Sequence, residues 1–147
     1  MQDYSKEVKT TLAKGPVAAG STDVTDAAIL DCQGFEGFAV EAAFGTLTST
    51  TVAGIKIQQS DASDMSGATD LEGSKLLIPD TDSNKILISN VFKPLKRYAR
   101  VIILRATANA VVNLVTYKQY GAKKPPVTQS SDVSGTEQLI SPVAGTA

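Results

Sequence analysis

The chain has no histidine, no tryptophan and one cysteine among its 147 residues. Without histidine it lacks the commonest general base and the commonest metal ligand, and it can form no Ser-His or Cys-His nucleophile pair. Its lone cysteine, Cys32, has no partner for an internal disulfide and cannot supply a cysteine-rich zinc site. Aromatic residues make up only 5% of the chain, which leaves a sugar-stacking platform poorly supplied. Nowhere do apolar residues run on for the ~18 positions a membrane-spanning helix needs. The opening MQDYSKEVKTTLAK is charged and carries no apolar stretch of the signal-peptide kind, so synthesis and first folding are expected in a cytoplasm.

What is present is the composition of one folded domain. Hydrophobic residues supply 42% and charged residues 20% of the chain, which excludes a disordered polymer. At this length a single core buries roughly 70% of the unfolded surface. The net charge of −1 conceals an uneven distribution: residues 1–82 hold thirteen acids and five bases (−8), and residues 83–147 hold nine bases and two acids (+7). Such a split fits acidic loops and basic strands cancelling within one fold. It fits equally an acidic partner, a basic partner, or a chain whose acidic side meets the basic side of another copy.

Period-two alternation predicts six strands, at 27–31, 37–45, 53–59, 85–92, 98–105 and 111–120, separated by clusters of Gly, Ser, Thr, Asp and Pro. In 37–45 one face carries Phe38, Val40, Ala42 and Phe44. In 111–120 one face carries Val112, Leu114 and Thr116, and the other Val111, Asn113, Val115 and Tyr117. The segment 98–105 is apolar on both faces, as in a central strand covered on two sides. Six short strands and little helix predict an all-β fold: a single β-sandwich, jelly-roll-like connections included among its forms, over residues 15–122. Residues 1–14 read as an N-terminal arm or a short helix, with Tyr4, Val8 and Leu12 at four-residue spacing. Residues 123–147 read as an extended C-terminal arm, whose composition calls for contacts from outside the domain if it is to be ordered. The long acidic segment 60–84 likewise reads as lying outside the core.

Candidate chemistry is sparse. Asp61, Asp64, Asp70, Glu72, Asp80 and Asp82 offer oxygen ligands, but their spacing is not that of an EF-hand loop, and a solvated acidic loop is the simpler reading. Lys93, Lys96, Arg97, Arg100 and Arg105 form a basic cluster with one aromatic, Tyr98, and no glycine-rich phosphate loop. Their alternation would point them to both faces of a strand, so salt bridges to acidic neighbours are expected rather than nucleic-acid binding. Cys32 reads as a small buried side chain. No catalytic residue, cofactor site or metal site is expected.

Three segments, DCQGFEGFAVEAAFGTLTS (31–49), IKIQQSDASDMSGATDLEG (55–73) and LKRYARVII (95–103), resemble in order and spacing a family of small tailed-phage and prophage proteins. Those proteins are encoded in the head-morphogenesis module near the major capsid protein. The resemblance spans residues 15–126 and rests on Asp31, Gln33, Gly34, Phe35 and Glu36 together with Lys96, Arg97, Tyr98 and Arg100. Cys32 stands where the family pattern carries a larger aliphatic residue, and the chain after Pro126 runs further. The resemblance implies a virion structural protein: a decoration or cement protein on the capsid surface, assembled in the host cytoplasm. Its implied partners are the phage major capsid protein and copies of itself, as a trimer or other homo-oligomer, with neither nucleic acid nor membrane. A tail or head-tail connector component and a virion-displayed carbohydrate-binding β-sandwich stay open as alternatives. Expected partner-contact residues are Lys93, Lys96, Arg97, Arg100, Lys123, Lys124, Leu139 and Ile140.

Overall fold

The computed structural model describes residues 3–141 and 143–146. Along them run one helical turn, α1 (Tyr4–Glu7), and ten strands: β1 (Lys9–Lys14), β2 (Val17–Gly20), β3 (Leu30–Asp31), β4 (Gly37–Leu47), β5 (Val52–Ser60), β6 (Thr69–Asp70), β7 (Leu76–Ile78), β8 (Ile86–Phe92), β9 (Tyr98–Ala106) and β10 (Ala110–Tyr120). Two antiparallel sheets pack face to face, so the protein is a β-sandwich. One sheet has the order β1-β10-β4-β8, with β2 continuing the β1 edge along β10. The other has the order β3-β9-β5-β6, with β7 continuing the β6 edge along β5. Counting β1 with β2 and β6 with β7 as single interrupted strands leaves eight positions, ordered 1-8-3-6 and 2-7-4-5. That order is the double Greek key of a jelly roll.

The core follows from alternation. Phe38, Val40, Ala42 and Phe44 of β4 face Ile55 and Ile57 of β5 and Val101 and Ile103 of β9, all buried. Phe38 meets the Tyr117 ring edge-to-face, with centroids 6.4 Å apart. β9 is covered on both faces, since Ile102 on its other side is also buried. In β10 the simple alternation fails: Val112, Val115 and Tyr117 all point inward, whereas Leu114 is 43% exposed. The register shift against β4 between Val112 and Leu114 inserts an extra β10 residue and changes the phase, after an opposite shift between Ala110 and Val112.

Polar side chains tie the two sheets together. The Tyr117 hydroxyl accepts the Val101 N–H at 2.9 Å and donates to the Ala28 carbonyl at 2.8 Å. Gln119, also buried, donates to the Asp31 carbonyl. Arg105 is buried rather than part of a surface cluster. Its guanidinium donates to the carbonyls of Thr22, Ala18 and Ala110, and its own N–H is accepted by Asp23. A buried cation held by carbonyls is satisfied and structural.

The N-terminal spacing of Tyr4, Val8 and Leu12 does not make a helix beyond Glu7. Asp3 caps a single turn by accepting the Ser5 N–H, and Val8 is already extended. From Lys9 onward the β-branched Thr10 and Thr11 pair with β10 instead, because one amphipathic turn is too short to stand alone. The acidic segment also joins the fold. Its β6 and β7 pair with β5, Met65 and Ile78 are buried, and Leu71 packs on the core. Its carboxylates are used locally: Asp70 pairs with Lys56, Asp61 with Lys96 and Asp82 with Lys85, while Asp80 accepts the Thr50 N–H. Of these pairs, Asp61–Lys96 and Asp82–Lys85 join the acidic half of the chain to the basic half, whereas Asp70–Lys56 lies within the acidic half.

The segment after β10 has no regular structure, yet its first part is held by the chain itself. Val127 donates its N–H to the Lys6 carbonyl. Gln129 accepts the Thr10 N–H at 2.8 Å and donates to the carbonyls of Ser5 and Val8, and Asp132 accepts the Leu12 N–H. Residues 127–132 thus line the outer edge of β1, held there by bonds within the chain. Beyond Gln138, which accepts from the Lys6 ammonium, Leu139, Ile140 and Val143 are 64%, 92% and 92% exposed.

Candidate functional site

At one end of the sandwich three connections meet: residues 32–36 between β3 and β4, residues 93–97 between β8 and β9, and the segment after Tyr120. The turn 32–36 is stitched to both neighbours through its backbone. Cys32 donates its N–H to the Arg97 carbonyl, Lys93 donates to the Glu36 carbonyl, Lys123 donates to the Gly34 carbonyl, and Glu36 donates to Tyr120 and Gly121. Asp31 starts the turn by accepting the Gln33 N–H at 3.0 Å. Glycine is demanded at two points. Gly34 has φ of +89°, and Gly121 has φ of +64° with a Cβ position only 2.6 Å from Glu36.

Two shallow depressions of about 500 and 530 Å³ flank this turn, sharing Gln33, Gly34, Phe35 and Lys123 as the ridge between them. Around them stand Lys9, Lys93, Lys96, Arg97, Lys123 and Lys124. Arg97 is spent on Asp31 in a two-pronged bridge, Nε to Oδ1 at 3.0 Å and Nη2 to Oδ2 at 2.8 Å, and its guanidinium lies 5.1 Å from the Tyr98 ring centre. This guanidinium, aided by the Gln33 N–H and the charge of Lys9, holds the Asp31 carboxyl below the ordinary aspartate range. Lys96 is paired with Asp61. Among the described residues no carboxylate pairs with Lys9, Lys93, Lys123 or Lys124, and Lys93 lies over the Phe92 ring at 5.3 Å. Leu95, at the tip between Lys93 and Lys96, is 90% exposed.

No family model, curated protein or solved structure matches the chain.

Of the residues singled out in the sequence, the fold therefore gathers Lys93, Lys96, Arg97, Lys123 and Lys124 at one end. It separates the others. Arg100 is on the outer face of the β9 sheet, bonded to Gln58, with a buried Nε that has no hydrogen-bond partner among the described residues. Leu139 and Ile140 lie on the terminal segment, apart from both depressions. Two members were missed. Lys9 joins through β1, a strand that the alternation of short apolar segments does not reveal. Leu95 carries a legible signal, a lone aliphatic residue inside the polar turn Lys93-Pro94-Leu95-Lys96. Burial pushes the Cys32 thiol up to about 12, with the Asp31 charge adding to the effect, so it stays a neutral thiol beneath the turn. Among the described residues no group of three carboxylates or thiols is placed to hold a metal ion, and no helix is long and apolar enough to cross a membrane. Open depressions rimmed by unpaired lysines, with an aliphatic tip, suit a flat macromolecular surface better than an enclosed small molecule.

Proposed function

We propose that this protein is a non-catalytic virion component that decorates and stabilises a phage head by docking its lysine-rich end on the major capsid protein lattice. The observation that carries the reading is the convergence at one end of parts of the two most distinctive segments of the phage-protein resemblance, Asp31–Glu36 and Lys96–Tyr98. They are joined there by the Cys32–Arg97 backbone bond, and Lys9, Lys93, Lys123 and Lys124 make the surface around them basic. Four lysines without carboxylate partners attract an acidic surface over a distance and fix orientation, and Leu95, beside Lys93 on the rim of one depression, offers an apolar anchor. The jelly-roll order is compatible with such a role, although a fold alone carries no function. A molecule that binds only the assembled shell stabilises it by mass action and needs no reaction.

The test is co-sedimentation of the purified chain with expanded shells of the same virus's major capsid protein, followed by heating of the loaded shells. Saturable binding that weakens with salt, and a raised disruption temperature, are expected. The double substitution Lys123→Glu with Lys124→Glu should weaken binding by more than about tenfold. Absence of binding at every salt concentration, or binding indifferent to the double substitution, would overturn the proposal.

A further inference from the structure

Among the described residues, β8 is the uncovered edge of its sheet. Its inward residues Leu87, Ser89 and Val91 pair with Ala42, Val40 and Phe38 of β4. The bonds Phe44 N–H to Lys85 and Lys93 N–H to Glu36 show that these odd-numbered positions spend their backbone groups on β4. By the antiparallel pattern, the N–H and C=O groups of Ile86, Ile88, Asn90 and Phe92 then point away from the sheet. The side chains of Ile86, Ile88 and Phe92 are 61%, 62% and 57% exposed. A row of unpaired backbone beside exposed aliphatic and aromatic side chains is a template for a further strand.

We infer that the strand is supplied by residues 137–143 of a second copy of this chain, added antiparallel to β8. Leu139, Ile140 and Val143 are the exposed large apolar residues of the segment after β10. In one register the two rows match: Leu139 falls opposite Phe92, Ser141 opposite Asn90 and Val143 opposite Ile88, apolar on apolar and polar on polar. Residues 139, 141 and 143 then turn their backbone groups to β8. Pro142 in the sequence has no N–H to give, and in this register none is asked of it. Charge agrees at the Lys93 end of β8, where Lys93 has no carboxylate partner among the described residues and the chain beyond Lys124 holds Asp132 and Glu137 and no base; Lys85, at the other end, is paired with Asp82. Glu137 falls just past Phe92, beside Lys93. Pairing of β8 with its own symmetry copy about Ser89 would instead set Lys85 against Lys93, like charge on like. The donor is a different molecule because Gln138 is bonded to Lys6 on the β1 side. Three strand spacings, ~14 Å, separate β1 from β8, and Leu139 is only about 4 Å further along the chain than Gln138.

This contact goes beyond the shell-binding reading, because it forms between copies in free solution. The full chain, Ile88→Asp and Val143→Asp are compared by sedimentation over a range of protein concentrations. Both substituted side chains are exposed in the single molecule, and unchanged circular dichroism and Tm verify the fold. The parent is expected to self-associate, and each variant alone to associate more than about tenfold more weakly. Mixed, the two variants should form a 1:1 complex and nothing larger, because one retains a good tail and the other a good edge. A parent that stays monomeric, Val143→Asp that associates like the parent, or a mixture that fails to pair would each overturn the inference. Loss of shell binding with the 1:1 complex intact would tell only against the decoration role.

Discussion

The sheet β1-β10-β4-β8 has two edges, and the chain treats them oppositely. Along β1 the outward Thr10 and Leu12 N–H groups are taken by Gln129 and Asp132, and the Val8 carbonyl receives the Gln129 amide. Along β8 the outward backbone of Ile86, Ile88, Asn90 and Phe92 faces solvent, beside three exposed apolar side chains. A protein that covers one edge with its own polar side chains has a remedy for sticky edges at hand. The difference separates an edge used in folding from the edge on which the second copy is proposed to add a strand.

The sharpest way to break this comparison is amide hydrogen exchange on the dilute chain. Thr10 and Leu12 N–H groups should exchange more slowly than those of Ile88 and Asn90 by about a hundredfold or more, since the first pair must lose a bond and the second need not. Equal rates would erase the distinction. Raising the protein concentration should slow exchange at Ile88 and Asn90 without changing Thr10 and Leu12.

A smaller effect is expected in stability. Gln129→Ala removes three hydrogen bonds on half-buried backbone and should cost about 2 kcal/mol, read as a lower urea midpoint. Ile88→Ser on the bare edge should stay within about 0.5 kcal/mol of the parent at low concentration. If the two changes cost the same, the terminal segment is not a working part of the β1 edge. Truncation follows the same logic: removal of residues 134–147 should leave stability unchanged, whereas removal from 127 onward strips the edge and destabilises the domain.

How much of this was written plainly in the sequence depends on what each signal needed. The five long strands were legible because Phe38, Val40, Ala42 and Phe44, or Ile55 and Ile57, alternate without interruption. β1 and β2 were not, because Lys9–Lys14 and Val17–Gly20 carry few large apolar side chains, and their pairing with β10 is decided by tertiary contact. The face assignment of Leu114 needed the irregular register of β10, which no periodicity announces. At the candidate site, lysines and arginines near positions 93–100 were visible as a charge run. Which of them share a surface was set by strand direction: Arg100 and Arg105 sit on β9 itself, where alternation sends one outward and the other inward. The role of Gln129 was hidden most deeply, because a polar residue in an irregular tail shows nothing of the N-terminal backbone it meets 119 residues away.

The smallest effect tests whether the bare edge and the lysine-rich end are mechanically joined. Arg97 anchors the turn that follows β8 to Asp31 of the opposite sheet. Because the Arg97 guanidinium holds the Asp31 carboxyl below its ordinary value, the pair contributes stability above the usual aspartate pKa of about 3.9, and that contribution is lost as pH falls through the lowered value. Asp31→Asn should therefore lower Tm at neutral pH by no more than about 2 °C, with the difference from the parent vanishing at strongly acid pH. Exchange should quicken at residues 93–97 and stay unchanged at Thr10 and Leu12, since β1 is held by a different set of bonds. A difference in Tm that persists at acid pH would mean that Asp31 acts through something other than its charge, since asparagine keeps the acceptor for the Gln33 N–H.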